Sequence, residues 1–132
     1  MSWNDKRPMS PHLQIYDLPL TAKISIMHRM TGAFLLLGLF IIVLVLSSVA
    51  LGESYWLMIK EILNSWPGLL VLFGLTFSVY FHFCHGIRHL IWDTGRYLEK
   101  NMQAKGAALV IGTSIVLTLL TWFIALSTGS SL

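Results

Sequence analysis

Three histidines, His82, His85 and His89, fall within eight residues of an otherwise apolar run that extends from Tyr80 to Asp93. A neutral imidazole in such a setting can ligate a metal or a haem iron, carry a proton, or hydrogen-bond to a neighbouring helix. At about 100° per residue on a helix, His82, His85, Gly86, His89 and Asp93 follow one another at steps of three or four and share a face. Ionisable groups inside a membrane normally face a bundle interior and mark a pathway or a cofactor. His82 is the deepest of the three, eleven residues before Asp93, or about 16 Å along the helix axis. Gly86, one turn further on, removes a side chain where a flat macrocycle would approach the backbone. The competing reading is that the histidines only make interhelical hydrogen bonds, which His85 and His89 fit more readily than His82 because they lie nearer the aqueous edge.

A second constellation is Ser25, His28 and Arg29, which share a helix face at i, i+3 and i+4. A hydroxyl beside a guanidinium supplies donors for a quinone headgroup at the edge of an apolar layer. Arg29 could equally pair with a carboxylate such as a haem propionate, or reach to the interface with its charge in water. Arg88 poses the same choice. A bis-histidine site made of His28 and His82 is disfavoured here, since His28 lies nearer the interface.

The elements that carry these residues follow from where charge is missing. The 132 residues are 55% hydrophobic and 11% charged, against roughly 25% charged in soluble globular domains. Uncharged windows run from Met30 to Gly52, Ile62 to Ile87 and Gly106 to Leu132, each longer than the roughly 20 residues of a spanning helix. An all-α integral membrane protein with three transmembrane helices follows, with helices at about 20–52, 62–93 and 104–128. Asp17 followed by Pro19 marks the first helix start, near Leu20. Residues 1–19, with Pro8, Pro11 and His12, form an N-terminal arm, and residues 1–132 read as a single membrane-anchor domain. No cleavable signal is expected, because Met1 to Lys23 lacks an apolar core.

Charge placement sets the expected orientation. Lys6, Arg7, Lys23 and Arg29 flank the first span, and Arg88, Arg96, Lys100 and Lys105 lie between the second and third, whereas the first connection has only Lys60. The positive-inside bias places the N-terminus and the second connection in the cytoplasm or the mitochondrial matrix. Tyr55, Trp56, Trp66 and Trp122 fall towards the outer interface, and Trp92 and Tyr97 at the inner one. The net charge of +3 is spread over membrane edges without a basic stripe, which argues against nucleic acid. The lone cysteine, Cys84, excludes an internal disulfide and reads as a small packing residue.

In order along the chain, Arg7-Pro8-Met9, then Ser25-x-x-His28-Arg29-x-Thr31, then His82-x-x-x-Gly86-Ile87-Arg88-His89-Leu90-x-Trp92-Asp93-x-Gly95 resembles the cytochrome b membrane subunit of succinate dehydrogenase. Only the third span lacks a diagnostic motif. The resemblance implies the membrane anchor of a succinate:quinone oxidoreductase, half of a two-subunit bundle that shares one haem b. It implies as partners a second small membrane subunit, an iron–sulfur subunit, and a flavoprotein with FAD that oxidises succinate, so this chain would carry no succinate chemistry itself. It also implies His82 as one axial ligand of the haem iron, and Ser25 and Arg29 at the ubiquinone site. His28 and Arg29, with His89, would lie in the haem propionate environment, and Asp93 would be a helix-end charge or part of a proton path. His85 occupies a variable position and receives no ligand role. The absence of a transit-like extension favours a bacterial inner membrane over a mitochondrial one. The alternatives are the anchor of a quinol:fumarate reductase, or a haem-free anchor or transporter subunit whose histidines only pack.

Overall fold

The computed structural model describes residues 17–96 and 98–129. Residues 1–16 of the expected arm, with Lys6, Arg7 and His12, and the interfacial Tyr97 lie outside them. The described chain forms four helices in order: α1 (Leu20–Leu51), α2 (Glu53–Asn64), α3 (Trp66–Asp93) and α4 (Lys100–Ser127). Three of these, α1, α3 and α4, are long and apolar enough to cross a bilayer, so the protein is an all-α, multi-pass membrane protein.

The first helix begins at Leu20 with Pro19 in the cap position. Pro19 has no N–H to leave unsatisfied, and its carbonyl accepts from Ala22 N at 2.9 Å and Lys23 N at 3.2 Å. Asp17 does not cap the helix; its carboxylate accepts a hydrogen bond from Lys23 Nζ at 3.1 Å on the exposed surface. At 32 residues, α1 is about 48 Å long, well beyond the ~30 Å hydrocarbon layer, so its first turns, with Lys23 and Arg29, extend past the apolar region. It stops at Gly52, whose φ of 117° is in a region that L side chains avoid.

Hydropathy alone does not find α2, because Glu53, Lys60 and Glu61 interrupt its apolar residues. It is a short polar–apolar helix on the connection between spans, with Tyr55 and Trp56 in its first turn. The expected span from residue 62 therefore begins instead at Trp66. Between the two helices, Ser65 donates from Oγ to Ile62 O at 2.6 Å and accepts from Gly68 N at 3.3 Å. Pro67 is in the first turn of α3. A Cβ at Gly68 would collide with the carbonyl oxygens of Ile62 and Leu63, so this corner requires glycine.

Contacts along the crossings fix the direction of the spans. Gly32 faces His82 and Gly38 faces Leu75, so α1 and α3 are antiparallel. Gly106 faces Arg88 and Thr121 hydrogen-bonds Tyr80, so α4 runs back along α3. Glycine at these crossings lets backbones approach closely, the usual solution where lipid offers no hydrophobic drive between helices. The buried core is small: Ile24, Phe81, Ala107 and Val110, with Phe77, Cys84 and Ile111 packed against it. Cys84 is thus the packing residue expected. Buried hydroxyls turn back on their own helix, as in Ser78 to Gly74 O at 2.8 Å and Ser114 to Val110 O at 2.7 Å. Further along the α3–α4 crossing, Tyr80 and Thr121 share a hydrogen bond at 2.7 Å and Trp122 Nε1 donates to Thr76 Oγ1 at 3.4 Å. Most large apolar side chains of α1 remain exposed, a surface suited to lipid or to further membrane helices and not to water.

Candidate functional site

Where α1 crosses α3, four imidazoles come together. The His28 ring stacks on His82, with centroids 3.9 Å apart and planes 16° from parallel. It also stacks on His85 at 4.3 Å and reaches towards His89 at 6.0 Å. His85 and His89 are 4.7 Å apart. Gly32, one turn after His28, permits this approach: a Cβ there would come within 3.2 Å of His82 Cε1. The sequence reading did not single out Gly32, although its i+4 spacing from His28 was a usable signal.

Several ring nitrogens in this cluster have no hydrogen-bond partner among the described residues. His28 Nε2, His82 Nδ1 and both nitrogens of His85 are buried and unpaired. An unsatisfied buried polar atom costs about 1–3 kcal/mol, so several at one crossing mark a place where stability is given up. For these nitrogens the contact between α1 and α3 is ring stacking and not interhelical hydrogen bonding, the competing reading of these residues.

The polar stripe expected on α3 is divided. His85 turns fully inward, 2% exposed, enclosed by Phe81 and His28. His82 and Gly86 are half-buried on the flank, and His89 and Asp93 are exposed. His85 is thus the most enclosed of the three, although His82 remains the furthest from the Asp93 end of α3, because enclosure within the bundle is set by rotation about the helix axis and not by position along it. A planar macrocycle has no access to His85 without displacing its neighbours. His82 differs: its ring is held by His28 and Gly32, and beside it a Cβ at Gly86 would meet nothing within 4 Å.

The pairing of His28 with His82 was disfavoured on depth, yet the two rings touch. From Leu20 to His28 is about 12 Å and from His82 to Asp93 about 16 Å, a mismatch that a modest tilt removes. A bis-histidine site is excluded in this arrangement on other grounds. Nitrogen lone pairs lie in the ring plane, so two stacked imidazoles cannot both point at one iron.

On α1, Ser25 is half-buried and Arg29 exposed; neither is engaged in a hydrogen bond or ion pair among the described residues. Thr31 is buried and donates to His28 O at 2.9 Å, fixing the turn that carries His28. Arg88 behaves differently from Arg29. It is 7% exposed, donates from one terminal nitrogen to Gln103 O at 2.8 Å, and lies with its guanidinium carbon 4.0 Å from the centre of the Trp92 ring. It neither reaches to the interface nor faces the histidine flank, and it ties α3 to α4.

Comparison with known proteins identifies the family. Residues 4–121 match the family described as succinate dehydrogenase/fumarate reductase transmembrane subunit. The chain is 37% identical over 115 residues to the succinate dehydrogenase cytochrome b556 subunit of Paracoccus denitrificans, covering 87% of this chain and 88% of the relative. It is 37% identical over 130 residues to the cytochrome b560 subunit of Reclinomonas americana, covering 94% and 90%. It is 35% identical over 126 residues to the cytochrome b556 subunit of Rickettsia felis, covering 89% and 92%. With three spanning helices and a match over nearly the whole chain, this protein belongs to the succinate dehydrogenase/fumarate reductase transmembrane subunit family.

Proposed function

We propose that this chain is the cytochrome b membrane anchor of a succinate:quinone oxidoreductase, that His82 is one axial ligand of a haem b shared with a second membrane subunit, and that Ser25 and Arg29 contribute to the site where ubiquinone is reduced. The observation that carries the haem assignment is the environment of His82: a half-buried imidazole, fixed in orientation by His28 and Gly32, beside the open face at Gly86. The residues fit the group. A neutral imidazole is a haem ligand, the vacant side chain at Gly86 leaves room for a flat ring, and the exposed side of this flank requires another chain to complete a pocket.

Haem, when bound, would supply a one-electron carrier in the low-dielectric bundle. His82 would hold and orient it. The stack of His28 on His82 restricts rotation of the ligand ring, and His89 and Arg29 supply donors near the cytoplasmic edge where propionates would lie. Near the start of α1, the hydroxyl of Ser25 and the guanidinium of Arg29, neither engaged by another described residue, are one turn apart. That geometry can hold a quinone carbonyl between two donors while two electrons and two protons arrive. An iron–sulfur subunit would deliver those electrons, and a flavoprotein subunit carrying FAD would take them from succinate. The names of the relatives, each a succinate dehydrogenase cytochrome b subunit, support this direction over quinol:fumarate reduction. The Lys and Arg distribution supports an N-terminus on the cytoplasmic or matrix side, and our reading takes the membrane to be a bacterial inner membrane.

The test is the reduced-minus-oxidised visible spectrum of the purified complex, beside a His82→Ala variant shown to assemble. A low-spin b-type band in the parent that is lost or displaced in the variant is expected. An intact parent complex without a haem band would leave a haem-free anchor, and an unchanged band in the variant would remove His82 as ligand.

A further inference from the structure

On the side of α3 away from the histidine cluster, a groove of about 620 Å³ opens between α3 and α4. Its mouth, near the 94–99 connection, carries Arg88, Trp92 and Lys105, and its floor and walls are apolar, with Ile87, Leu109 and Val110. Arg88 lies five residues before the end of α3 and Lys105 five after the start of α4, so both are about 7.5 Å from their helix ends. Both therefore lie close to the polar connection between the two spans, the side from which a headgroup can reach them.

The electrostatics of the groove are one-sided. Two cationic residues line it and no carboxylate does. Arg88 is more than nine-tenths buried, its Nε is buried and unpaired, and its one hydrogen bond is to a neutral carbonyl. A buried cation without a counter-charge is costly, and among the described residues no acidic side chain pairs with Arg88; the aromatic face of Trp92 is its other polar contact. We read the missing anion as external. Its site must accept negative charge at the mouth and hydrocarbon below it.

We propose that this groove binds an anionic diacyl phospholipid, with the phosphodiester at Arg88 and Lys105 and an acyl chain along Ile87, Leu109 and Thr113. Basic pockets between spanning helices are suited to such headgroups. The free phosphate ion fits less well, since it would leave the apolar length of the groove unfilled. The site is separate from the proposed haem flank and stands whether or not His82 ligates haem.

The experiment is native mass spectrometry of the whole complex, delipidated in detergent and titrated with phosphatidylglycerol or phosphatidylcholine. The expected result is retention of one phosphatidylglycerol that phosphatidylcholine does not replace, with Lys105→Gln weakening it about fivefold. Thr113→Trp, which fills the apolar end without touching either charge, is expected to abolish retention, and millimolar inorganic phosphate to leave it unchanged. Equal retention of the two lipids, displacement by inorganic phosphate, or indifference to both substitutions would overturn the proposal. The last outcome would point to an acidic side chain of a neighbouring subunit as the counter-charge.

Discussion

Replacing Gly86 by leucine separates the needs of this chain from those of the group it is proposed to hold. Within the chain the first atom of the new side chain is accommodated, since an added Cβ meets nothing within 4 Å, and a glycine inside a helix costs about 0.5–1 kcal/mol relative to alanine. The isolated helix should gain slightly. For a macrocycle lying against this face beside His82, the leucine is overpacking, with a cost of about 1–3 kcal/mol, or roughly five-fold to more than a hundred-fold in affinity. Gly32→Ala is the complementary change. Its Cβ would stand 3.2 Å from His82 Cε1, so the ligand ring must shift by a few tenths of an ångström while the open face stays open. Haem content per assembled complex, with the visible spectrum, reads both. Gly86→Leu should assemble with haem content reduced at least fivefold, whereas Gly32→Ala should keep its haem with a displaced band. Full haem content and an unchanged spectrum in an assembled Gly86→Leu complex would refute the placement of the haem.

Arg29→Ala removes a charged donor that is exposed and engaged by no other described residue, so folding should be spared. A charge-assisted hydrogen bond of about 1.5–3 kcal/mol predicts a drop in succinate:quinone turnover of about ten-fold or more, with succinate oxidation by a soluble dye unchanged. Ser25→Ala should cost about two- to ten-fold on the same scale; equal loss of the dye reaction would move either residue from the quinone site to assembly. Orientation can be read with an impermeant thiol reagent on intact cells in a Cys84→Ala background. Cysteine at Ser54 should label and cysteine at Thr94 should not, and the reverse pattern would invert the topology.

Much of this architecture is local and was therefore legible in the residues. Whether a segment spans a bilayer depends on its own hydrocarbon content and on charges at its ends, which is why three spans and the start of α1 at Leu20 could be read without any tertiary information. The motif residues of α1 and α3 were legible for the same reason, because imidazoles and a guanidinium in apolar sequence are costly wherever they end up. The connection was not legible, since α2 is too polar to register as a span and the turn at Ser65–Gly68 is defined by contacts with Ile62 and Leu63.

What periodicity could not give is the rotation of each helix about its axis. Five residues at steps of three or four occupy an arc wide enough that one edge can be core and the other surface. Packing of α1 and α4 on either side of α3 made that division, turning His85 inward, leaving His89 and Asp93 outside, and placing His82 between them next to an open face. The contact of His28 with His82 likewise depends on helix tilt and on Gly32 in another helix. The burial of Arg88 depends on Gly106 and Gln103, which lie across the α3–α4 crossing. The sequence by itself determined that this protein spans the membrane three times and which residues are chemically unusual in it. Only the tertiary structure decided which of them face one another, because side-chain contacts across helices depend on how neighbouring surfaces interlock and not on the composition of any one helix.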